Sequence, residues 1–114
     1  MIVLNDGGTT LRKENVRGGR GGGLFTYAVD GAVSGSHFKM IARIRLEPGS
    51  SIGEHPHDAD EELYYILKGK GVYYENGVPH PVREGDFLVL YQGGTHGLEA
   101  SDDSELVFLA VVTC

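Results

Sequence analysis

Four side chains set the tightest condition on how this chain can fold: His55, His57, Glu62 and His96. They lie in two glycine-framed stretches, GSSIGEHPHDADEELYYILKG and GDFLVLYQGGTHG, with a short hairpin-like segment between. His55 and His57 are two apart, so an extended strand projects both to one face. Glu62 follows a polar turn (Asp58, Ala59, Asp60) and opens the apolar stretch ELYYIL. His96 enters a third strand just after Gln92-Gly93-Gly94. Three imidazoles and a carboxylate meeting at one point make a divalent-metal site. Ligands from three neighbouring strands meet only if the sheet curls.

The rest of the chain reads as strands and turns. HFKMIARIRLE alternates, with Phe38, Met40, Ala42, Ile44 and Leu46 on one face and Lys39, Arg43 and Arg45 on the other. Glu47-Pro48-Gly49 breaks it. In ELYYIL, Glu62, Tyr64 and Ile66 share the metal side. Asn76-Gly77 is a two-residue hairpin signal of the positive-φ kind. FLVLY, THGLEA and ELVFLAVV complete the pattern, and no segment carries a helical period. The 18 glycines, about twice the usual share, suit many tight turns. The expected fold is all-β, a small antiparallel barrel or jelly roll spanning residues 24–114. Residues 1–23, with Arg12, Lys13, Arg17, Arg20 and the tract GGRGGG, are expected to form an irregular N-terminal arm.

A chain of 114 residues is one domain with room for one core. Ten basic against sixteen acidic residues leave a net charge of −6, which argues against a phosphate-backbone binder, so no nucleic-acid partner is expected. MIVLNDGG lacks the basic lead of a secretory signal, and no apolar run reaches bilayer length, so no membrane partner is expected either. The single Cys114 allows no intramolecular disulfide, and the expected location is the cytoplasm. ELVFLAVV and ELYYIL are apolar on both faces, so their outward faces need cover from the arm, a neighbouring sheet or a second subunit. A homodimer is expected.

The two stretches resemble the paired motifs of the cupin superfamily. Gly49, His55, His57, Glu62 and Gly69 fill every fixed position of the first motif. Glu61 is the competing carboxylate, but it leaves seven residues before Gly69 where the motif has six. Gly85, Gly93 and His96 match the second motif, with Tyr91 replacing its proline and Ala100 its asparagine. The resemblance covers residues 49–100 and implies a single-domain cupin whose metal ligands are His55, His57, Glu62 and His96.

Three neutral nitrogens and one carboxylate suit one divalent transition metal, manganese, iron, cobalt, nickel, copper or zinc, and the sequence does not choose among them. An octahedral ion would keep two open positions for water, dioxygen or a bidentate oxyanion. Binding is expected to fall away below about pH 6, because ligand histidines must stay neutral. Tyr64 shares a face with Glu62 and is the catalytic candidate; a core ring with a satisfied hydroxyl is its competing reading. Phe38, Met40, Ala42 and Phe108 are expected to line an apolar pocket. His37 and His80 are read as surface residues, and Glu54, Asp58, Asp60 and Glu61 as a solvated rim. Arg43 and Arg45 point away from the site, so a cation for a substrate carboxylate would come from Arg17 or Arg20 on the arm.

The resemblance implies a metalloenzyme acting on a small carboxylate or sugar-acid-like substrate, in the manner of oxalate decarboxylases, dioxygenases or sugar isomerases. The alternative is a non-catalytic module that binds or senses a metal or small ligand. Fold alone does not separate them.

Overall fold

A computed structural model describes all residues, 1–114. It holds ten strands and one short 3-10 turn, with no α-helix. The strands are β1 (Thr9–Glu14), β2 (Gly22–Asp30), β3 (Phe38–Leu46), β4 (Ser51–Pro56), β5 (Glu61–Lys68), β6 (Lys70–Glu75), β7 (Val78–Arg83), β8 (Phe87–Leu90), β9 (Thr95–Ala100) and β10 (Leu106–Thr113). The 3-10 turn, Val16–Gly18, links β1 to β2. Two antiparallel sheets result, ordered β1-β2-β3-β10-β5-β8 and β4-β9-β6-β7. The all-β expectation holds.

The alternation in β3 explains the core. Ala42, Ile44 and Leu46 are buried while Lys39, Arg43 and Arg45 face solvent. Their inward neighbours include Phe25 and Tyr27 of β2, Tyr64 and Ile66 of β5, and Phe108 and Ala110 of β10. Tyr73, Leu98 and Ala100 from the second sheet close the same cluster, so the core lies between two facing sheets. Asn76 (φ 50°) and Gly77 (φ 80°) form the turn from β6 to β7 with the expected left-handed backbone.

The N-terminal segment departs from expectation. It is not irregular: β1 extends the six-stranded sheet, with Thr9 opposite Tyr27 and Glu14 opposite Gly22. Gly22 and Gly23 belong to β2, and a side chain at Gly23 would run into the Arg45 carbonyl on β3. Glycine here permits close strand approach rather than an irregular path. Further upstream, Val3 and Leu4 lie beside Ile41 and Leu109 on the outer face of the sheet, so the N-terminus supplies part of its cover.

Candidate metal centre

His55 sits on β4 and His96 on β9, directly opposite one another across the ladder. His57 follows the end of β4, and its backbone stays tied to the Gly93-Gly94 turn, donating to the Gly94 carbonyl at 3.0 Å and accepting from Gly93 N at 2.8 Å. Glu62 comes from β5, in the facing sheet. The expectation of three neighbouring strands is therefore corrected: two are neighbours, and the carboxylate arrives across the interior. Two packed sheets, rather than the curl of one, bring the ligands together.

Each imidazole is oriented by its outer nitrogen. His55 Nδ1 donates to the Gly53 carbonyl at 2.7 Å, and His57 Nδ1 to Asp60 Oδ1 at 2.5 Å. His96 Nδ1 lies 2.9 Å from the Tyr73 hydroxyl. Fixing Nδ1 in this way turns the Nε2 lone pairs inward, as metal ligation needs. The three Nε2 atoms lie 2.8 Å (His96), 3.0 Å (His57) and 4.0 Å (His55) from Glu62 Oε1. All four ligand atoms fall within 4.8 Å of one another, and all four residues are buried. With metal–ligand bonds of about 2.1 Å, adjacent ligand atoms on an octahedral ion are about 3.0 Å apart and opposite ones about 4.2 Å. The three spacings to Glu62 fall in this range, while the widest separation in the set, 4.8 Å, exceeds it. Buried His57 Nε2 also has no hydrogen-bond partner, its 3.0 Å approach to Glu62 being out of line. A buried orphan nitrogen aimed at a shared centre fits an ion, and these four side chains could hold one.

The charges agree. Burial alone would raise the Glu62 carboxyl, but His57 and His96 outweigh it and hold the group below its ordinary 4.5, as a carboxylate. Glu62 raises His57 above its ordinary 6.5 against the opposing effect of burial, with Asp60 adding to the rise. Burial is the main reason His55 lies below 6.5. Asp60 is thus no solvated rim residue. It links His57 to Lys39, whose Nζ donates to Oδ2 at 3.0 Å. Asp60→Asn is expected to weaken metal binding about 10- to 100-fold while leaving all four ligands in place. Chelator competition measures this, and an unchanged affinity would deny Asp60 any part in orienting His57.

A cavity of about 180 Å³ opens on this centre, lined by His55, His57, Glu62 and Tyr64 together with residues of β1–β4 and β10 and the 3-10 turn. Of the expected pocket residues only Met40 lines it. Ala42 and Phe108 are core residues, Phe108 packing on Tyr64 with ring centroids 4.8 Å apart. Phe38 is 52% exposed, because the β3–β10 register shifts between Val112 and Thr113 and the alternation fails at that end. Phe25, Tyr27, Ile44, Ile52 and Val112 supply the apolar wall instead. Tyr64 stacks on His96 at 4.9 Å and 13°. Burial, then Glu62, pushes its hydroxyl well above 10, so it stays protonated and can only donate or accept a hydrogen bond. Arg17 lines the cavity, whereas Arg20 pairs with Glu99 at 3.1 Å. His37 and His80 are exposed. Asp60 and Tyr73 were missed as orienting groups. The three-residue step from His57 to Asp60 was a legible hint; nothing local marks Tyr73.

The sequence matches the cupin domain family over residues 42–112. The chain belongs to the cupin family. A protein named oxalate-binding protein from Thermotoga maritima is 36% identical to this cupin over 112 residues, 98% of this chain and 93% of the relative. Protein SchB of Streptomyces halstedii is 37% identical over 94 residues, 81% of this chain and 65% of its own length. Among solved structures, a predicted oxalate decarboxylase from Thermotoga maritima superposes with a TM-score of 0.91 at 35% identity, covering 99% of this cupin and 98% of that chain.

Proposed function

We propose that this cupin holds one divalent transition metal on His55, His57, Glu62 and His96 and uses it to bind a small oxyanion of the oxalate class. The convergence of three Nε2 atoms and Glu62 Oε1 beneath a small cavity carries the reading. The oxalate-binding name of the 36% identical relative supports the ligand class. A bound ion would supply Lewis acidity and two open positions for paired oxygens. The chain's own part is to orient those ligands through Gly53, Asp60 and Tyr73 and to keep water out with Phe25, Tyr27, Met40 and Ile52. The Tyr64 hydroxyl, protonated at ordinary pH and lining the cavity, is available to hydrogen-bond a bound ligand.

Metal analysis of protein purified without added metal, followed by calorimetry with oxalate and an assay for released carbon dioxide, tests the proposal. Metal-dependent oxalate binding supports it, and carbon dioxide release extends it to catalysis. Metal-loaded protein that ignores oxalate would sink it.

Assembly is the second part of the proposal. Phe87 (70% exposed) and Val89 on the edge strand β8, with Leu67 on β5, leave an apolar outer face at the end of the six-stranded sheet away from the N-terminal cover. A second copy related by a twofold axis would bury this patch against itself. Light scattering at micromolar concentration is expected to give a dimer mass, and Phe87→Glu a monomer. A monomer mass for the unaltered chain would count against it.

A further inference from the structure

Of the ten lysines and arginines in this chain, six pair with a carboxylate: Arg12, Arg20, Lys39, Arg45, Lys68 and Lys70. Two of the remaining four, Lys13 and Arg17, line the cavity over the metal ligands. The Lys13 ammonium lies over the Phe25 and Tyr27 rings, 5.3 Å and 5.0 Å from their centroids, and both rings also line that cavity. Aromatic faces attract a cation without neutralising it. In a chain of net charge −6, two unpaired cations facing one small cavity stand out against the overall field.

The backbone that carries Arg17 is built to hold it there. Arg17 has φ 55° and Asn15 φ 51°, left-handed values that ordinary side chains avoid. Asn15 N donates to the Gly21 carbonyl at 2.9 Å, and Ser51 N donates to the Arg20 carbonyl at 2.8 Å, tying the turn to β4. A side chain at Gly53 would strike the Arg17 carbonyl, and one at Gly19 would strike that of Ser51. Glycine at both positions lets the turn lie against the strand that bears His55. An unusual backbone conformation, overdetermined by its surroundings, is the kind of feature that marks ligand contacts.

We propose that Lys13 and Arg17 form the anion-reading wall of this cavity and select a small dianion with two carboxylate groups. One carboxylate faces the metal positions and the other meets the planar fork of Arg17, with the Lys13 charge adding to the local field. The inference rests on the metal-and-oxyanion reading above and deepens it, since a metal fixes only the oxygens it ligates, whereas the two cations would read the carboxylate oxygens that stand away from it. The cavity of about 180 Å³ has room for a small diacid.

The test uses the full chain loaded with manganese, with oxalate and acetate as the calorimetric probes. Arg17→Asn removes the fork while keeping a residue that tolerates the left-handed backbone, and Lys13→Gln removes the second charge. Each variant is expected to weaken oxalate binding about tenfold, and the pair about 100-fold, with acetate changed less than about threefold and metal stoichiometry unaltered. Arg17→Lys is expected to recover part of the loss. Unchanged oxalate affinity in both variants, or equal losses for oxalate and acetate, would overturn the inference while leaving the metal-and-oxyanion reading standing. Loss of metal along with oxalate would reassign these residues to structure and overturn it too. Failure of the unaltered protein to bind oxalate would remove both.

Discussion

Replacing His96 with alanine is expected to lower metal affinity by more than about 100-fold, because one of four ligands is lost from a closed, buried set. His96 is 1% exposed and its Nε2 lies 2.8 Å from Glu62 Oε1, so no water-exposed side chain can swing in as a substitute. The fold pays a separate cost, since the Tyr73 hydroxyl loses its partner at Nδ1, worth about 1–3 kcal/mol for a buried polar group. His57→Ala is expected to cost metal binding similarly but folding less, because the Asp60 carboxylate it leaves behind keeps Lys39 as a partner at 3.0 Å. Elemental analysis after dialysis against a weak chelator measures the first effect and thermal unfolding of the chelator-treated protein the second. Full metal stoichiometry in both variants would contradict the ligand assignment.

Metal affinity is expected to fall about tenfold per pH unit below the folded pKa of His57, since binding must expel that proton. Glu62 and Asp60 raise this histidine above 6.5, so the decline begins above 6.5 and earlier than an unperturbed imidazole would give. Unfolding linkage has the opposite sign. A raised histidine contributes stability fully below 6.5 and loses it as pH climbs through the folded value. His55, lowered mainly by burial, makes folding less favourable as pH drops through 6.5 toward its own folded value. Glu62, held below 4.5, contributes stability above 4.5 that is lost only as pH falls through its depressed value. The difference in melting temperature between metal-loaded and chelator-treated protein is therefore expected to shrink steadily on acidification from about pH 8 to about pH 5.5. A metal dissociation constant independent of pH over that interval would show that no ligand histidine holds a proton in competition with the ion.

The strand pattern was legible because period-two alternation and turn chemistry act between near neighbours. β3 shows its inward face residue by residue, and Asn76-Gly77 announces its turn. The site was legible because His55, His57, Glu62 and His96 stand at the positions of two paired motifs, and the fold brings all four together. Phe38 was misplaced because a register shift near the end of β10 is invisible to an alternation argument. The N-terminal segment was misread because glycine in GGRGGG signals freedom in isolation, while Gly22 and Gly23 are held by a neighbouring strand whose identity the local pattern does not contain.

Residue order by itself determined the β class and the inward faces of the central strands, since each depends on spacing along one extended backbone, and it marked the four converging side chains through their resemblance to two paired motifs. Only the tertiary structure decided that Glu62 reaches the histidines from the opposite sheet, that Asp60 and Tyr73 aim them, and that Lys13 and Arg17 stand over them. Those relations join residues far apart in the chain. They exist only once two sheets have packed and a glycine-lined turn has settled against β4, and no local periodicity records that packing.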